Sequence, residues 1–421
     1  MRDMRGIVGG AQHEVAVEES ASRPSEDLMV ADWLRGSERS VLREMLATGA
    51  RPEILTFALG LPATELLPRQ AFFEALAETL RNDKLALQLG PPFHPLKQRI
   101  AELMLRRGVS CRAEQVFLTA GAQQALSLLA RLLLDDGSQV IVEEVTYTGL
   151  HMAIQPHRPQ VITVSTDPEQ GIDIDEVEQL LAGGVRPAFI FAMSDGHNPL
   201  GISLPLRKRE RLVEIARRYR VPVVEDDVYS FLSYHQPPAP PMRAFDDRWV
   251  LYVNSFSKLL GPGLRAGWMI VPEALIPRLS IIKDLSDIDS CTLTQRAIAA
   301  YLQSDQLDGH LASIRGEYKD RRDRMLRALE KHFTGVATWT TPTSGVFIWL
   351  RFTQGIDTAE LLKLAVEREH VAFIPGKAFS AGGSDSANEC LRLNFTYCQR
   401  EQIEEGVFKL ARAARDLMNK S

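Results

Sequence analysis

The sequence predicts an α/β protein, in which a large domain with a mostly parallel central sheet flanked by helices precedes a smaller α+β domain. Short apolar runs rich in β-branched and aromatic residues alternate with helical stretches such as 122–135 and 205–219. These runs occupy 115–120, 139–144, 187–193, 222–227, 249–254 and 267–272. Because the runs are apolar on both faces, they are typical of strands buried inside a sheet.

Changes of pattern along the chain predict its division into segments. Residues 1–27 are rich in Gly, Ser and Glu and lack periodicity, which predicts a disordered tail. We expect residues 28–70 to form an N-terminal arm and helix that pack with the small domain. The large domain is expected over 71–302. A long charged helix, followed by shorter strand and helix patterns, predicts the small C-terminal domain over 303–421.

Composition excludes several classes of protein. The 421 residues are 45% hydrophobic and 24% charged, with a net charge of −5, which argues against a nucleic-acid or polybasic membrane-surface protein. No apolar run approaches the length of a membrane span, and the first residues have no signal-like apolar region. The nine histidines are scattered and the four cysteines include no C-x-x-C pair, so we predict no metal site and a cytoplasmic location.

Polar residues follow the predicted strands, at the sheet edge where open parallel sheets bind ligands. The first of them is a turn of small residues that opens a helix, which suits a phosphate. An aromatic residue, an amide, a carboxylate and a loop that contains a lysine follow along the chain. These candidates are Gly121, Ala122, Gln123, Tyr147, Asn198, Asp226, Tyr229, Ser255, Ser257, Lys258 and Arg265. Singly, each has an ordinary structural explanation, such as a surface cation, a turn or a helix cap.

The order of these motifs resembles a known family. The segments TAGAQQAL, EEVTYTG, HNPLG, VVEDDVY, NSFSKLLGPGLRAGW and LRLNFTY follow one another as in the fold-type-I pyridoxal-phosphate enzymes. The chain is most similar to class I/II aminotransferases of the 2-aminoadipate/kynurenine type, from about residue 30 to 415. The lysine loop with Gly-x-Arg-x-Gly behind it, and the paired Asp and Tyr, are the specific signals.

The resemblance implies a role for each candidate residue at the cofactor ring. Lys258 matches the lysine that holds pyridoxal 5'-phosphate as a Schiff base and later moves a proton. Asp226 matches the carboxylate beside the ring nitrogen. Tyr229 and Asn198 match the groups that hydrogen-bond the ring hydroxyl oxygen, and Tyr147 matches the residue stacked on the ring face.

The resemblance also implies where the phosphate and the substrate bind. Residues expected at the phosphate are Gly121, Ala122, Gln123, Ser255, Ser257 and Arg265. Arg392 matches the arginine that binds the substrate α-carboxylate, Asn198 is also expected to bind the substrate, and Gly60 lies in the segment that closes over the substrate. The expected assembly is a homodimer with shared active sites, acting on an amino acid and a 2-oxo acid.

Three segments depart from the family pattern, and we expect all three near the substrate pocket or the dimer-facing rim. Leu89 stands where a tyrosine usually reaches the neighbouring subunit's cofactor. His197 replaces the usual Gln before Asn-Pro, and Ser344 lies in Pro-Thr-Ser-Gly where Pro-Glu-Gly-Gly is usual. Elsewhere, the basic run 207–211 is predicted to be a solvated helix face.

Because of these departures, the reaction type stays open at this point. The leading hypothesis is an aminotransferase that moves an amino group between an L-amino acid and a 2-oxo acid. The alternative is a biosynthetic enzyme of the same fold that catalyses β- or γ-elimination, replacement or cyclisation. A ligand-sensing regulator on this fold would need a helix-turn-helix, for which the non-periodic residues 1–27 show no pattern.

Overall fold

The computed structural model describes residues 31–34, 47–49, 51–234 and 238–419. The predicted tail over 1–27 and part of the predicted arm lie outside the described residues. The strands are β1 Leu55–Thr56, β2 Val116–Thr119, β3 Gln139–Glu143, β4 Gln160–Val164, β5 Thr166–Asp167, β6 Gly171–Ile172, β7 Phe189–Met193, β8 Val223–Asp226, β9 Val250–Ser255, β10 Gly267–Ile270, β11 Ala337–Trp339, β12 Phe347–Phe352, β13 Val371–Ala372, β14 Ile374–Pro375 and β15 Cys390–Asn394. The described α-helices are Arg69–Asn82, His94–Leu105, Ala122–Leu133, Thr148–Ile154, Ile174–Ala182, Leu206–Tyr219, Ile276–Asp287, Thr292–Gln303, Leu307–Phe333, Thr358–Leu364 and Gln402–Met418.

The central sheet has seven strands in the order β2-β10-β9-β8-β7-β3-β4. Only β10 runs antiparallel to its neighbours, and the other pairs are parallel. The six predicted runs are six of these strands, so the predicted fold class is confirmed. The sequence pattern missed β4, because this edge strand is only partly buried and its apolar run is interrupted by polar residues.

Helices cover both faces of the central sheet, and successive residues of one strand belong to different cores. Phe189 and Phe191 of β7 pack in the core that includes the helix Ala122–Leu133, whereas Ile190 packs against the helices Ile174–Ala182 and Leu206–Tyr219. This alternation is why the predicted strands are apolar throughout.

The second sheet is antiparallel, in the order β11-β12-β15-β14, and shares a hydrophobic core with the helices Leu307–Phe333 and Gln402–Met418. The short strand β1 pairs in parallel with β13, and the Phe57 N–H donates to the Ala372 carbonyl at 2.7 Å. The predicted arm therefore contacts the predicted small domain, while the domain boundaries themselves stay a prediction. Within the described residues, no helix is long and apolar enough to cross a membrane.

The prediction of a solvated face over 207–211 is wrong at Arg209, which is 1% exposed. Its Nη2 donates to Asp195 Oδ1 at 2.9 Å and to the Ser194 carbonyl at 2.8 Å. Arg107 reaches the same Asp195 carboxylate at 3.3 Å. The helix begins against the segment that follows β7, so its fourth residue points inward although Arg207 and Glu210 are exposed.

Replacing Arg209 by alanine tests this buried network. Arg209→Ala leaves Asp195 with less compensating charge inside the protein, and we expect the free energy of unfolding to fall by roughly 3 to 5 kcal/mol. Exposed Arg207 is the matched control, and Arg207→Ala should change stability by at most about 0.5 kcal/mol. Denaturant unfolding measures both, and equal losses for the two variants would contradict the buried role of Arg209.

Candidate active site

Lys258 ends the 3-10 turn Phe256–Lys258 that directly follows β9. Its Nζ donates to the Gly60 carbonyl at 2.6 Å and lies 5.7 Å from the centroid of the Tyr229 ring. Burial lowers the pKa of Lys258 to about 8, and the positive charges of Arg392 and Arg265 act in the same direction. About a tenth of this amine is therefore neutral, and nucleophilic, at pH 7, far more than for an ordinary lysine.

Asp226 is the last residue of β8 and is 1% exposed. Burial raises its pKa to about 7, although the Val228 N–H and the charge of Lys258 favour the ionised form. Its Oδ1 is buried and has no hydrogen-bond partner in the described protein. Because buried polar atoms are almost always paired, this oxygen fits a donor from a bound group, such as a ring N–H.

Two tyrosines form walls of the site. Tyr229 packs edge-on against Phe347, with ring centroids 5.7 Å apart. The Tyr147 hydroxyl lies 3.4 Å from Gln123 Oε1, and Gln123 Nε2 donates to the Gly149 carbonyl at 2.8 Å. Burial raises the pKa of Tyr147 to about 12 and also raises that of Tyr229, so both hydroxyls keep their protons at neutral pH.

The turn before the helix Ala122–Leu133 forms a cradle for an anion. Gly121 has a φ of +90°, and a Cβ there would lie 2.8 Å from Arg265 Nη2. Arg265 Nη2 donates to the Ala120 carbonyl at 2.7 Å, and the Ser255 and Ser257 hydroxyls lie 2.8 Å apart. Helix N–H groups, two hydroxyls and a guanidinium are the donors that a phosphate requires.

Arg392 lies in β15 and is 5% exposed. Its Nη1 donates to Asn198 Oδ1 at 2.8 Å and its Nη2 to the Ala58 carbonyl at 2.6 Å. Its Cζ lies 4.1 Å from the ring centroid of Phe347 and 5.0 Å from that of Phe379. Burial lowers the pKa of Arg392 to about 10, which still leaves the group charged at neutral pH.

A cavity of about 170 Å³ joins most of the predicted site residues. Those among its walls are Ala122, Gln123, Tyr147, Asn198, Asp226, Tyr229, Ser255, Ser257, Lys258 and Arg265. The other three predicted residues adjoin it, since Gly121 faces Arg265, Gly60 accepts from Lys258, and Arg392 donates to Asn198. Sequence patterns missed Phe347 and Phe379, because an aromatic residue in a strand carries no signal that separates a site wall from ordinary core.

Leu89, His197 and Ser344, which depart from the family pattern, are not among the described residues that line this cavity. Leu89 is 64% exposed on a surface loop. His197 is buried beside Glu143, and Ser344 Oγ lies 2.9 Å from Ser203 Oγ. The expectation that the three lie near the substrate pocket or the dimer-facing rim stays a prediction, although His197 and Ser344 face other buried groups. Elsewhere in the described chain, no cluster of His, Cys, Asp and Glu is arranged to hold a metal ion.

Comparison with known proteins agrees with this geometry. The family model described as aminotransferase class I and II matches residues 53–410. The aromatic-amino-acid aminotransferase 1 of Thermococcus litoralis is 34% identical over 394 residues, covering 91% of this chain and 94% of that protein. The 2-aminoadipate transaminase of Thermus thermophilus is also 34% identical, covering 90% and 95%.

A solved structure extends the comparison to the fold. The α-aminoadipate aminotransferase of Thermus thermophilus, complexed with N-(5'-phosphopyridoxyl)-L-leucine, superposes with a TM-score of 0.86 at 32% identity, covering 93% of this chain and 98% of that one. Fold and site together define a fold-type-I pyridoxal-phosphate enzyme. The chain belongs to the class I and II aminotransferase family, and the prediction of a pyridoxal-phosphate-dependent aminotransferase is confirmed.

The pKa of Lys258 predicts how its reactivity depends on pH. In the cofactor-free protein, acetylation of Lys258 should rise with pH to a midpoint near 8, because only the neutral amine reacts. Mass spectrometry of the digested protein measures the labelled fraction. In Asp226→Asn the midpoint should fall, since that substitution removes a negative charge that favours the protonated amine. A midpoint above pH 10 would contradict the buried environment.

Proposed function

We propose that the residues around this cavity move an amino group between an L-amino acid and a 2-oxo acid, with pyridoxal phosphate held at Lys258. The observation that carries the proposal is that one cavity brings together a buried lysine amine of lowered pKa and the unpaired Asp226 Oδ1. Arg392, a cation suited to an α-carboxylate, adjoins the same cavity through Asn198.

The residues fit the proposed cofactor at both ends. Asp226 offers a buried oxygen to a ring N–H, and the glycine at position 121 leaves space beside Arg265 for a phosphate. When bound, pyridoxal phosphate supplies an electron-withdrawing ring that stabilises negative charge at the substrate Cα. Both tyrosines keep their hydroxyl protons; Tyr147 would stack on the ring face, and Tyr229 would donate a hydrogen bond to the ring hydroxyl oxygen.

Lys258 and Arg392 would act on different parts of the substrate, Lys258 on the proton at Cα and Arg392 on the carboxylate. The lowered pKa lets Lys258 take up and return a proton near neutral pH, which suits an acid–base group at the substrate Cα. Arg392 is fixed by Asn198, by the Ala58 carbonyl and by its aromatic neighbours, and its buried Nε has no partner. This leaves guanidinium N–H groups for a carboxylate and selects substrates that carry one.

Transamination is favoured over the alternative exits. The features that favoured elimination, replacement or cyclisation were the 88–97 loop around Leu89 and His197, and neither lines the cavity. The matched relatives are named for aromatic amino acids and 2-aminoadipate, so we propose substrates of that range. We also propose that the enzyme acts in the cytoplasm.

A homodimer is proposed from an exposed apolar surface, which we call the 85–89/281–288 patch. Its large exposed side chains are Leu85, Leu87, Leu89, Ile281, Leu285 and Ile288. The two parts lie together, since the loop around Leu89 and the helix Ile276–Asp287 border one groove. Large exposed apolar side chains grouped on one surface indicate a protein–protein interface, and a second copy of the chain is the proposed partner.

An amino-acid panel tests the proposed reaction. Without any oxo acid, the protein loaded with pyridoxal phosphate should convert to the pyridoxamine phosphate form and release one 2-oxo acid. Visible absorbance and mass spectrometry measure this conversion. Lys258→Ala should abolish turnover, and Arg392→Met should lower kcat/KM by about a hundredfold or more through loss of a buried ionic contact. Loss of a substrate side-chain group without formation of the pyridoxamine would show the alternative chemistry.

Sedimentation tests the homodimer. Leu285→Glu places a charge on a side chain that is 79% exposed in the single chain, and it should shift the mass of the native protein from two chains toward one. Leu206→Glu, at a 42% exposed position on the opposite face of the sheet, is the matched control and should leave the mass unchanged. A monomeric unsubstituted protein would refute the proposed interface.

A further inference from the structure

One buried pair of titratable side chains, Glu143 and His197, does not line the cavity. Glu143 is the last residue of β3 and is 1% exposed, and His197 follows the adjacent strand β7 and is 2% exposed. His197 Nε2 lies 3.0 Å from Glu143 Oε2, while Glu143 Oε1 is buried without a partner. A buried carboxylate needs a hydrogen-bond partner, and His197 is the partner that the described structure gives Glu143.

The hydrogen bonds around His197 define its tautomer. The Leu200 N–H donates to Nδ1 at 3.4 Å, so Nδ1 is the acceptor and Nε2 carries the proton that Glu143 accepts. The backbone of the same residue closes the turn, because its N–H donates to the Ile202 carbonyl at 2.8 Å and its carbonyl accepts from the Gly201 N–H at 2.6 Å. The imidazole therefore ties the turn 197–202 to the end of β3.

The turn 197–202 contacts Arg392 directly through Asn198 and supports it indirectly through Phe347. Asn198 Oδ1 accepts from Arg392 Nη1 at 2.8 Å. Gly201 packs so tightly that a Cβ would lie 2.1 Å from the Phe347 carbonyl oxygen, and the Phe347 ring lies 4.1 Å from Arg392 Cζ. A shift of the turn would therefore move both the hydrogen-bond acceptor and the aromatic support of the guanidinium.

We propose that His197, held by Glu143, is a positioning residue that fixes the turn 197–202 and thereby orients Arg392 toward the substrate α-carboxylate. The inference rests on the proposed function of Arg392 and touches neither Lys258 nor the reacting atoms. Loss of the anchor should weaken carboxylate binding and leave the rate at saturating substrate nearly unchanged, since it alters an interaction made equally in the ground and transition states.

Two substitutions at one position separate the two nitrogens of the imidazole. His197→Gln places a side-chain N–H donor near the position of Nε2 and keeps the contact to Glu143. His197→Asn places an acceptor near Nδ1 for the Leu200 N–H and leaves Glu143 unanchored. Glu143→Gln retains an oxygen acceptor and is the matched control on the other side of the pair.

The experiment titrates the enzyme loaded with pyridoxal phosphate with a non-reacting carboxylate, 3-phenylpropanoate, and measures kcat and KM in parallel. We expect His197→Asn to raise both the Kd for 3-phenylpropanoate and the KM by about tenfold. A change of that size corresponds to the loss of one buried hydrogen bond, here the bond between His197 and Glu143. The kcat of His197→Asn should stay within about threefold of the value for the unsubstituted enzyme. For His197→Gln and Glu143→Gln, the Kd, the KM and the kcat should all stay within about threefold of the unsubstituted values.

An unchanged Kd in His197→Asn, or equal losses in the Asn and Gln variants, would overturn the proposal. Should His197→Asn fail to fold, the double variant Glu143→Leu/His197→Asn removes the stranded carboxylate as well and should show the same weakened Kd. Because the titration needs no turnover, a failure of amino transfer by the unsubstituted enzyme would refute the proposed function separately.

Discussion

The site depends on holding charged groups out of water. Burial shifts the pKa of Asp226 to about 7, of Lys258 to about 8 and of Arg392 to about 10, each toward the neutral form. Such groups are tolerated in a folded protein only where neighbours compensate for the lost hydration. Lys258 and Asp226 favour each other's charged form, while Arg392 is held by two oxygen acceptors and two aromatic rings.

The topology of the sheet explains how these groups meet. The parallel neighbours β7, β8 and β9 end at one edge, which places Asp226, at the end of β8, between Asn198 after β7 and Lys258 after β9. The antiparallel β10 runs between β9 and β2 and brings Gly267 against Gly121, so that a Cβ on Gly267 would lie 2.8 Å from the Gly121 Cα. The anion cradle therefore depends on backbones that approach too closely for any side chain.

The substrate side of the site depends on contacts between the turn 197–202 and the region around β12. Gly196 and Gly345 pack so closely that a Cβ on either would lie 2.8 Å from the other's Cα. The Thr340 hydroxyl donates to the Leu200 carbonyl at 2.7 Å, and Ser344 contacts Ser203. Two of the three departures from the family pattern, at positions 197 and 344, thus belong to one packed junction behind Asn198 and Arg392.

The sequence by itself determined the α/β class, six of the seven central strands and the group of residues that surrounds the cavity, because strand pattern and motif are both local. Only the tertiary structure decided which members of this group, and which residues outside it, are in direct contact. Arg392 and Asn198 lie 194 residues apart, and nothing in either motif indicates their hydrogen bond. Tertiary packing likewise buried Arg209 and turned His197 toward Glu143, because the environment of a side chain depends on neighbours remote in sequence.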